Sequence, residues 1–247
     1  MNIKTVSIGL PLLDQALMNG VPEGYAILLS GSPGSGTELF AKQFAAAGTD
    51  TENVIYITTT ERDEDIKMTM ESFGWKVEKI KIVNIGAEYY HKVLEKELLI
   101  SKYREEGIPV NEIFMPSKKK KEREVNFLTR ITYEIFKLKP PFRIVIDSLD
   151  FFLNNYDRNK VISALRTIKA HAQYYGGVLL VTMLRDVYDT HTQSGIEQLA
   201  DIILEMEMLR TPKGFVKYLI IKKVRNHPEK TGIFKYTISE KGLKIVK

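Results

Sequence analysis

The apolar residues of this chain form two kinds of pattern that alternate along most of its length. Unbroken apolar runs at 26–29, 54–57 and 144–146 are typical of strands covered on both faces of a parallel sheet. The stretches between them, such as 38–47 and 160–174, repeat apolar residues at helical spacing. Strands separated by helices predict parallel βαβ units and therefore an α/β fold.

The last part of the chain has a different pattern, in which short apolar segments are separated by turn residues. The segments are 201–207, 216–224, 233–238 and 243–246, and the turns include Pro212-Lys213-Gly214 and Glu240-Lys241-Gly242. Such spacing predicts antiparallel hairpins, which we place on the edge of the parallel sheet.

Residues 86–122 predict a helical insertion in the sheet. A helix over 88–106 ends at Gly107-Ile108-Pro109, and a lysine run at 118–121 is expected to open another helix that continues to Phe136. The insertion is too short for a hydrophobic core of its own, so residues 1–247 are expected to form a single domain.

A glycine-rich segment follows the first apolar run. Its three glycines permit a tight turn whose backbone N–H groups converge on an anion at the start of the next helix. The spacing Gly31-x-x-x-x-Gly36 is that of a P-loop, which continues with Lys and then Ser or Thr. This chain has Thr37 and Glu38 instead, so the frame lacks its cation and gains an anion. The candidate phosphate-binding residues are Gly31, Gly34, Ser35, Gly36, Thr37 and Glu38.

Composition narrows the class of protein. The chain is 44% hydrophobic and 27% charged, which is ordinary for a globular protein with a sizeable core. It has no cysteine, so disulfides and thiolate metal sites are excluded. The four histidines are scattered and predict no metal site. No apolar run has the length or position of a membrane span or signal peptide, so we expect a soluble cytoplasmic protein.

Several segments, in this order, resemble the RecA superfamily and within it the single-domain archaeal KaiC-like ATPases. They are Gly9-x-x-x-Leu13-Asp14, Gly20-Val21-Pro22-x-Gly24, the P-loop frame, Phe40-Ala41-x-Gln43-Phe44, Ser72-Phe73-Gly74-Trp75, Ile144-Val145-Ile146-Asp147, Gln198-Leu199-Ala200-Asp201 and Lys223-Val224-Arg225. The resemblance implies a RecA-like P-loop fold with a mostly parallel central sheet flanked by helices and with C-terminal antiparallel strands.

The resemblance also implies chemistry. Family members bind ATP with Mg²⁺, use a Walker B aspartate at the position of Asp147, and carry a Glu-Glu pair where this chain has Thr60 and Glu61. Their K-x-R pair, here Lys223 and Arg225, reaches the phosphates held by a neighbouring subunit. With Thr37 and Glu38 also altered, three of the positions that perform chemistry depart from the family, and Glu61 and Asp147 are interpreted as vestigial.

Electrostatics favour an empty site. A missing charge-assisted contact removes ~1.5–3 kcal/mol, and a carboxylate about 4 Å from a phosphate adds repulsion on the order of 4 kcal/mol at an effective dielectric near 20. We therefore expect no bound cofactor and a non-hydrolysing regulatory or protein-interaction module. Lys42 of the same chain is a candidate for the missing cation, but it is expected to point off the phosphate side of its helix. The alternative is an oligomeric ATPase that uses ATP and Mg²⁺ with phosphate contacts supplied in trans, in DNA repair or elsewhere.

A protein or peptide partner, or a second copy of the chain, is the expected partner. We place β-augmentation on the C-terminal edge strands and a second candidate surface on the apolar face of residues 88–105. Nucleic acid is supported by family likeness and by the lysine run alone. Residues 185–196, where a DNA-binding loop would fall, carry two acids and one arginine.

Overall fold

The computed structural model describes residues 4–106, 126–212 and 214–246. Strands occupy β1 (Thr5–Val6), β2 (Val21–Pro22), β3 (Ala26–Gly31), β4 (Asn53–Thr58), β5 (Ile80–Asn84), β6 (Phe142–Asp147), β7 (Val178–Leu184), β8 (Ile202–Thr211), β9 (Gly214–Val224), β10 (Gly232–Ser239) and β11 (Gly242–Val246). Helices occupy α1 (Pro11–Ala16), α2 (Thr37–Ala46), α3 (Asp63–Ser72), α4 (Ile85–Glu105), α5 (Phe127–Phe136), α6 (Asp150–Asn155), α7 (Arg158–Tyr175) and α8 (Thr190–Leu199), with a 3₁₀ turn at Pro228–Lys230.

A nine-stranded sheet in the order β11-β10-β9-β8-β3-β7-β6-β4-β5 forms the centre of the fold. The six strands from β8 to β5 are parallel, and β9, β10 and β11 continue the sheet with antiparallel pairing. Strand β8 joins the two parts because it pairs with β3 in parallel and with β9 in antiparallel orientation. The predicted α/β architecture with C-terminal hairpins is confirmed.

The sheet separates two hydrophobic cores. Helix α2 fills the core on one face, where Phe40, Phe44 and Ala45 are buried. Helices α5 and α7 fill the core on the other face, with Ile131 and Ile168 buried. Every residue of β3 is buried, which matches its unbroken apolar run.

The C-terminal edge strand β11 contacts α2, where a glutamine side chain bonds the backbone of one of its residues. The backbone N–H of Leu243 donates to Gln43 Oε1 at 2.8 Å, and Gln43 Nε2 donates to the carbonyl oxygens of Leu243 at 3.2 Å and of Gly9 at 2.8 Å. The side-chain amide thus takes the place of a neighbouring strand at Leu243 and satisfies edge groups that would otherwise attract another chain.

An ionic cluster holds the first residue of β3, at the end of the strand opposite the glycine-rich turn. The carboxylate of Asp201 accepts from the backbone N–H of Ala26 at 2.9 Å and from Lys169 Nζ at 2.9 Å, and lies 2.6 Å from Arg225 Nε. Asp201 and Lys169 are buried. The family-like segment at 198–201 therefore has a structural role, because its aspartate ties β3, α7 and β9 together.

Three helices differ from the sequence predictions. Helix α5 begins at Phe127, where the Asn126 side chain accepts from the N–H groups of Leu128 and Thr129. It therefore starts after the lysine run, which lies outside the described residues. Helix α6 was not predicted, because six residues are too few to show helical spacing. Helix α8 occupies much of the stretch at 185–196 where a loop was expected, and Asp189 caps it through the N–H of Thr192 at 3.0 Å.

The predicted insertion is described only as far as residue 106. Its first part is the 21-residue helix α4, which follows β5 directly and in which Ile85 is the buried residue. The remainder of the insertion lies outside the described ranges, so the insertion and the single-domain boundary remain predictions. Among the helices that the structure describes, none is long and apolar enough to cross a bilayer.

The Asp201 cluster gives a stability prediction. Replacing Asp201 with Asn leaves the ammonium of buried Lys169 without a carboxylate, which typically costs about 3 kcal/mol or more. Urea unfolding followed by circular dichroism should show this loss. The matched control is Asp186→Asn at an exposed ion pair, which should change stability little. Equal effects of the two substitutions would contradict the role given to Asp201.

A second prediction concerns acid. Lys81, followed by Arg130 and Lys137, lowers the pKa of Glu134 from 4.5 to about 2 by hydrogen bonding to its carboxylate. The folded-state pKa is depressed, so this stabilisation is complete above about pH 4.5 and is lost as the pH falls towards about 2. Urea midpoints at several pH values should therefore fall less steeply for Glu134→Gln than for wild type. Glu240→Gln, at an exposed turn, should follow the wild-type profile.

Candidate functional site

The P-loop frame forms a tight turn that requires its glycines. Gly34 and Gly36 adopt left-handed φ angles of 81° and 91°, which glycine adopts without strain. At Gly31, a Cβ atom would lie 2.6 Å from both Ser35 Oγ and Thr37 Cγ2. The turn leads straight into α2, so its N–H groups lie at the positive end of a ten-residue helix.

The back of the turn is held by hydrogen bonds to carbonyl oxygens. Ser35 donates to the Ser32 carbonyl through its backbone N–H at 3.1 Å and its Oγ at 2.7 Å. Tyr236 of β10 donates its hydroxyl to the Ser35 carbonyl. Within the described ranges, the N–H groups of Gly34 and Gly36 have no hydrogen-bond acceptor. The backbone cradle that the sequence predicted is therefore formed and supported by Tyr236, which the sequence analysis missed.

Glu38 brings a carboxylate to the mouth of this cradle. Its side chain is exposed and accepts a long hydrogen bond of 3.4 Å from Thr37 Oγ1. Burial and then the charge of Glu38 raise the pKa of Tyr236. The same carboxylate contributes to the raised pKa of Tyr56, after burial, Asp147 and Glu61. The charge of Glu38 thus raises the pKa of tyrosines on two different strands, β10 and β4.

Asp147 lies buried at the end of β6 with both carboxylate oxygens engaged. Tyr56 of β4 donates its hydroxyl to Oδ2 at 2.5 Å, and Thr182 of β7 donates Oγ1 to Oδ1 at 2.6 Å. Both partners are neutral hydroxyls on the neighbouring strands. Tyr56 belongs to an apolar run in the sequence. It meets Asp147 only because β4 lies next to β6 in the sheet.

Glu61 forms an ion pair with Lys42 of α2. Lys42 Nζ lies 2.5 Å from Glu61 Oε1 and also donates to the Glu38 carbonyl at 3.5 Å, and the Lys42 side chain is almost completely buried. The Glu61 backbone is fixed by Thr58, whose Oγ1 accepts from its N–H at 3.2 Å, and by Asn84 Nδ2, which donates to its carbonyl at 3.0 Å. No local pattern in the sequence predicts this pair, because it joins α2 to the loop after β4.

Lys223 and Arg225 lie at the other end of the sheet. Lys223 Nζ donates to the Glu197 carbonyl at 2.9 Å, and Arg225 pairs with Asp201. Burial, followed by repulsion from Arg225, lowers the pKa of Lys223. Because Asp201 adjoins the first residue of β3 and the cradle follows its last residue, the pair lies about 17 Å from the P-loop of its own chain.

The sequence offered two segments as candidates for nucleic acid binding, the lysine run and the segment that contains Arg185. The lysine run at 118–121 lies outside the described residues. Arg185, in the segment after β7, pairs with Glu207 and Asp186, so its charge is compensated within the chain. Over the described ranges, no group of three or more histidine or acidic residues is arranged to hold a metal ion.

Comparison with known proteins agrees with this arrangement of fold and loop. A family model described as the KaiC ATPase matches residues 6–247. The chain belongs to the KaiC ATPase family. Membership confirms the resemblance to the RecA superfamily and establishes a KaiC-like P-loop domain.

Individual relatives extend the comparison. A UPF0273 protein of Aeropyrum pernix is 23% identical over 98% of this chain and 93% of the relative. A UPF0273 protein of Thermotoga maritima is 40% identical over 31% of this chain. The KaiC-like protein PH0186 of Pyrococcus horikoshii, a solved structure, has 22% identity and a TM-score of 0.65 over 99% of this chain and 100% of its own, which supports the fold. The local matches to the Methanopyrus kandleri and Thermotoga maritima relatives span 30% and 32% of those proteins.

The ion pair between Lys42 and Glu61 can be tested by a double-mutant cycle. Glu61→Gln leaves a buried ammonium without its carboxylate and should reduce the free energy of unfolding by about 1–3 kcal/mol. Lys42→Met with Glu61→Gln should cost less than the sum of the single changes, with a coupling of about 1 kcal/mol. The exposed pair of Lys76 and Asp50 is the control and should show little coupling. Additive effects at Lys42 and Glu61 would contradict the pairing.

Proposed function

We propose that this KaiC-family domain has a phosphate site that does not hydrolyse ATP, and that it acts as a regulatory or protein-interaction module. The observation that carries the proposal is the position of Glu38 in the first turn of α2, at the mouth of the cradle. Its carboxylate complements the helix N-terminus in the way that a bound phosphate would. A nucleotide phosphate would have to displace it or accept its repulsion.

The charges around the cradle support this proposal. Three carboxylates, those of Glu38, Glu61 and Asp147, share the site with the ammonium of Lys42. That ammonium is engaged by Glu61, so it is not free to replace the missing P-loop lysine. A polyanionic ligand therefore meets net negative charge, which opposes binding and slows encounter.

The site also lacks groups that hydrolysis needs. Phosphoryl transfer depends on positioned cations and on a residue that orients the attacking water. Thr60 stands where the family has the first glutamate of its pair, and Asp147 is held by Tyr56 and Thr182. The backbone cradle fits a phosphate, but the side chains at Thr37 and Glu38 do not fit a phosphate with its Mg²⁺. We therefore assign no step of ATP hydrolysis to these residues.

An interaction role is supported by the unequal edges of the sheet. At edge strand β11 the backbone groups of Leu243 are satisfied by Gln43, whereas β5 pairs with β4 on one side and has no strand on its other side among the described residues. Such an edge offers unpaired backbone groups to an extended peptide. We place a peptide partner at β5 rather than at the C-terminal strands. The apolar residues of α4 that remain exposed, including Leu98 and Leu99, adjoin β5 along the chain.

Nucleotide binding and turnover test the proposal. Calorimetric titration of the wild-type protein with ATP, with and without Mg²⁺, should show no saturable binding, and ATP turnover should not exceed the buffer rate. The double variant Thr37→Lys/Glu38→Thr restores the P-loop cation and removes the anion. It should gain several powers of ten in affinity, because each ~1.4 kcal/mol corresponds to a factor of ten.

Asp147→Asn is the control for turnover. Under the proposal it leaves the background rate of the wild-type protein unchanged. Robust wild-type hydrolysis that Asp147→Asn abolishes would refute the proposal and favour the ATPase alternative with contacts supplied in trans.

A further inference from the structure

The antiparallel strands beyond β8 have a hydrophobic core on one face of the sheet only. Leu219 and Ile221 of β9 and Tyr236 of β10 are buried in the core beside α2. The second core, beside α5 and α7, includes Ile203 of β8 but no residue of β9, β10 or β11. Over the described ranges, the core on that second face therefore stops at β8.

Strand register identifies the residues on this uncovered side, which we call the open face. Directly opposite residues of antiparallel strands point to the same side of the sheet. Ile220 of β9 lies opposite Ile233 of β10, and Val216 of β9 lies opposite Leu209 of β8. Tyr218 stands between Val216 and Ile220 on the same side of β9. These five residues form the apolar part of the open face.

The apolar part is accessible and has the dimensions of a helix. Ile233 is 69% exposed and Leu209 is 49% exposed, and the three residues of β9 are partly exposed. From Val216 to Ile220 the strand rises about 14 Å, which is the length of about nine helical residues. A helix about 10 Å wide covers one strand and its neighbours. A sheet with an apolar face is stable when another layer covers that face.

The carboxylates beside the apolar part have partners within the chain. Glu205 and Glu207 of β8 lie opposite residues of the open face on β9. Glu205 lies 2.6 Å from Lys222 Nζ, and Glu207 pairs with Arg185. The β8 side of the open face is therefore electrostatically compensated.

The lysines on the other side of the open face are not compensated. Lys235 of β10 lies opposite Tyr218, and Lys244 of β11 lies opposite Thr237. Both lysines are exposed and form no ion pair with a described residue. Residues 214–246 contain eight Lys or Arg and two Glu, a net charge of +6, whereas the whole chain has +5. The open face therefore has an apolar centre and a positively charged side.

We propose that the open face binds an amphipathic helix of another protein whose apolar side is flanked by aspartate or glutamate. The apolar side packs along Val216, Tyr218 and Ile220, and the carboxylates pair with Lys235 and Lys244. Complementary charge of this kind steers encounter and fixes the orientation of the partner. The surface lies beyond β8, at the end of the sheet opposite β5, so it is separate from the edge to which we assign an extended peptide.

The chemistry of the open face favours protein over nucleic acid. Single-stranded nucleic acid is bound by stacking successive bases on aromatic side chains. The apolar part contains one aromatic ring, that of Tyr218, and four aliphatic side chains. Aliphatic side chains pack against the leucine or isoleucine of a helix, so the partner is a protein segment.

A pair of matched peptides tests the proposal. The probe is a fluorescein-labelled peptide of about 18 residues, with leucine at helical spacing and glutamate elsewhere, and its counterpart has lysine in place of each glutamate. Fluorescence anisotropy at about 0.05 M salt, where screening is weak, should show saturable binding of the acidic peptide. The basic peptide should bind about tenfold more weakly or less, because it faces unpaired lysines.

Substitutions on the open face should weaken binding of the acidic peptide. Lys235→Glu reverses an unpaired charge, and Ile233→Asp places a carboxylate in the apolar part, so each should weaken binding about tenfold or more. Lys67→Glu, an equal charge change at an exposed position of α3, should leave binding unchanged. If circular dichroism shows that Ile233→Asp disturbs the fold, Ile233→Thr replaces it and should still weaken binding.

Several outcomes would overturn the inference. They are the absence of saturable binding to the wild-type protein, equal binding of the two peptides, and an effect of Lys67→Glu as large as that of Lys235→Glu. A single-stranded thymidine oligonucleotide that displaces the acidic peptide would assign the face to nucleic acid instead. Self-association of the wild-type protein that Ile233→Asp abolishes would assign it to a second copy.

Discussion

The burial of β3 is the constraint on which the rest of the structure depends. A strand whose six residues are all buried must have its backbone groups paired on both sides, and β7 and β8 supply that pairing. The same strand fixes the positions of the glycine cradle and of the Asp201 cluster. Its last residue begins the glycine cradle, and its first residue donates to Asp201. The cradle and the Lys223–Arg225 pair therefore lie at a fixed separation, whatever happens at the surface.

Charged side chains in the interior follow a consistent rule. Arg143 is completely buried and pairs with Glu52, while its guanidinium also donates to the Phe44 carbonyl near the end of α2. Lys169 pairs with Asp201 and Lys42 with Glu61. Each of these three buried cations has a carboxylate, because an unpaired buried charge is strongly unfavourable. Lys42 follows this rule inside the candidate site, where its ammonium is paired with Glu61.

The backbone of the cradle and the side chains around it differ in how well they suit a bound phosphate. The backbone of residues 31–36 keeps the geometry of a phosphate site, with glycines at left-handed angles and Tyr236 holding the turn from behind. In our proposal the side chains oppose a phosphate, through Glu38, through the pairing of Lys42 and through the hydroxyls on Asp147. A fold of this family can therefore retain the frame of the site, since the frame also connects β3 to α2. In our proposal this connection, rather than hydrolysis, is what the loop still provides.

The sequence alone determined the order of the core strands and of most of the helices between them, the P-loop frame and its departures at Thr37 and Glu38, because these depend on local periodicity and spacing. It also determined the family, since many ordered segments agree. Only the tertiary structure decided which side chains meet. Lys42 reaches Glu61, Tyr56 reaches Asp147 and Gln43 caps β11 because the sheet brings distant strands side by side, and contacts between residues far apart in the chain leave no periodic signal. The short helix α6 and the polar helix α8 were missed for a related reason: one is too short and the other has too few apolar residues to show a helical repeat.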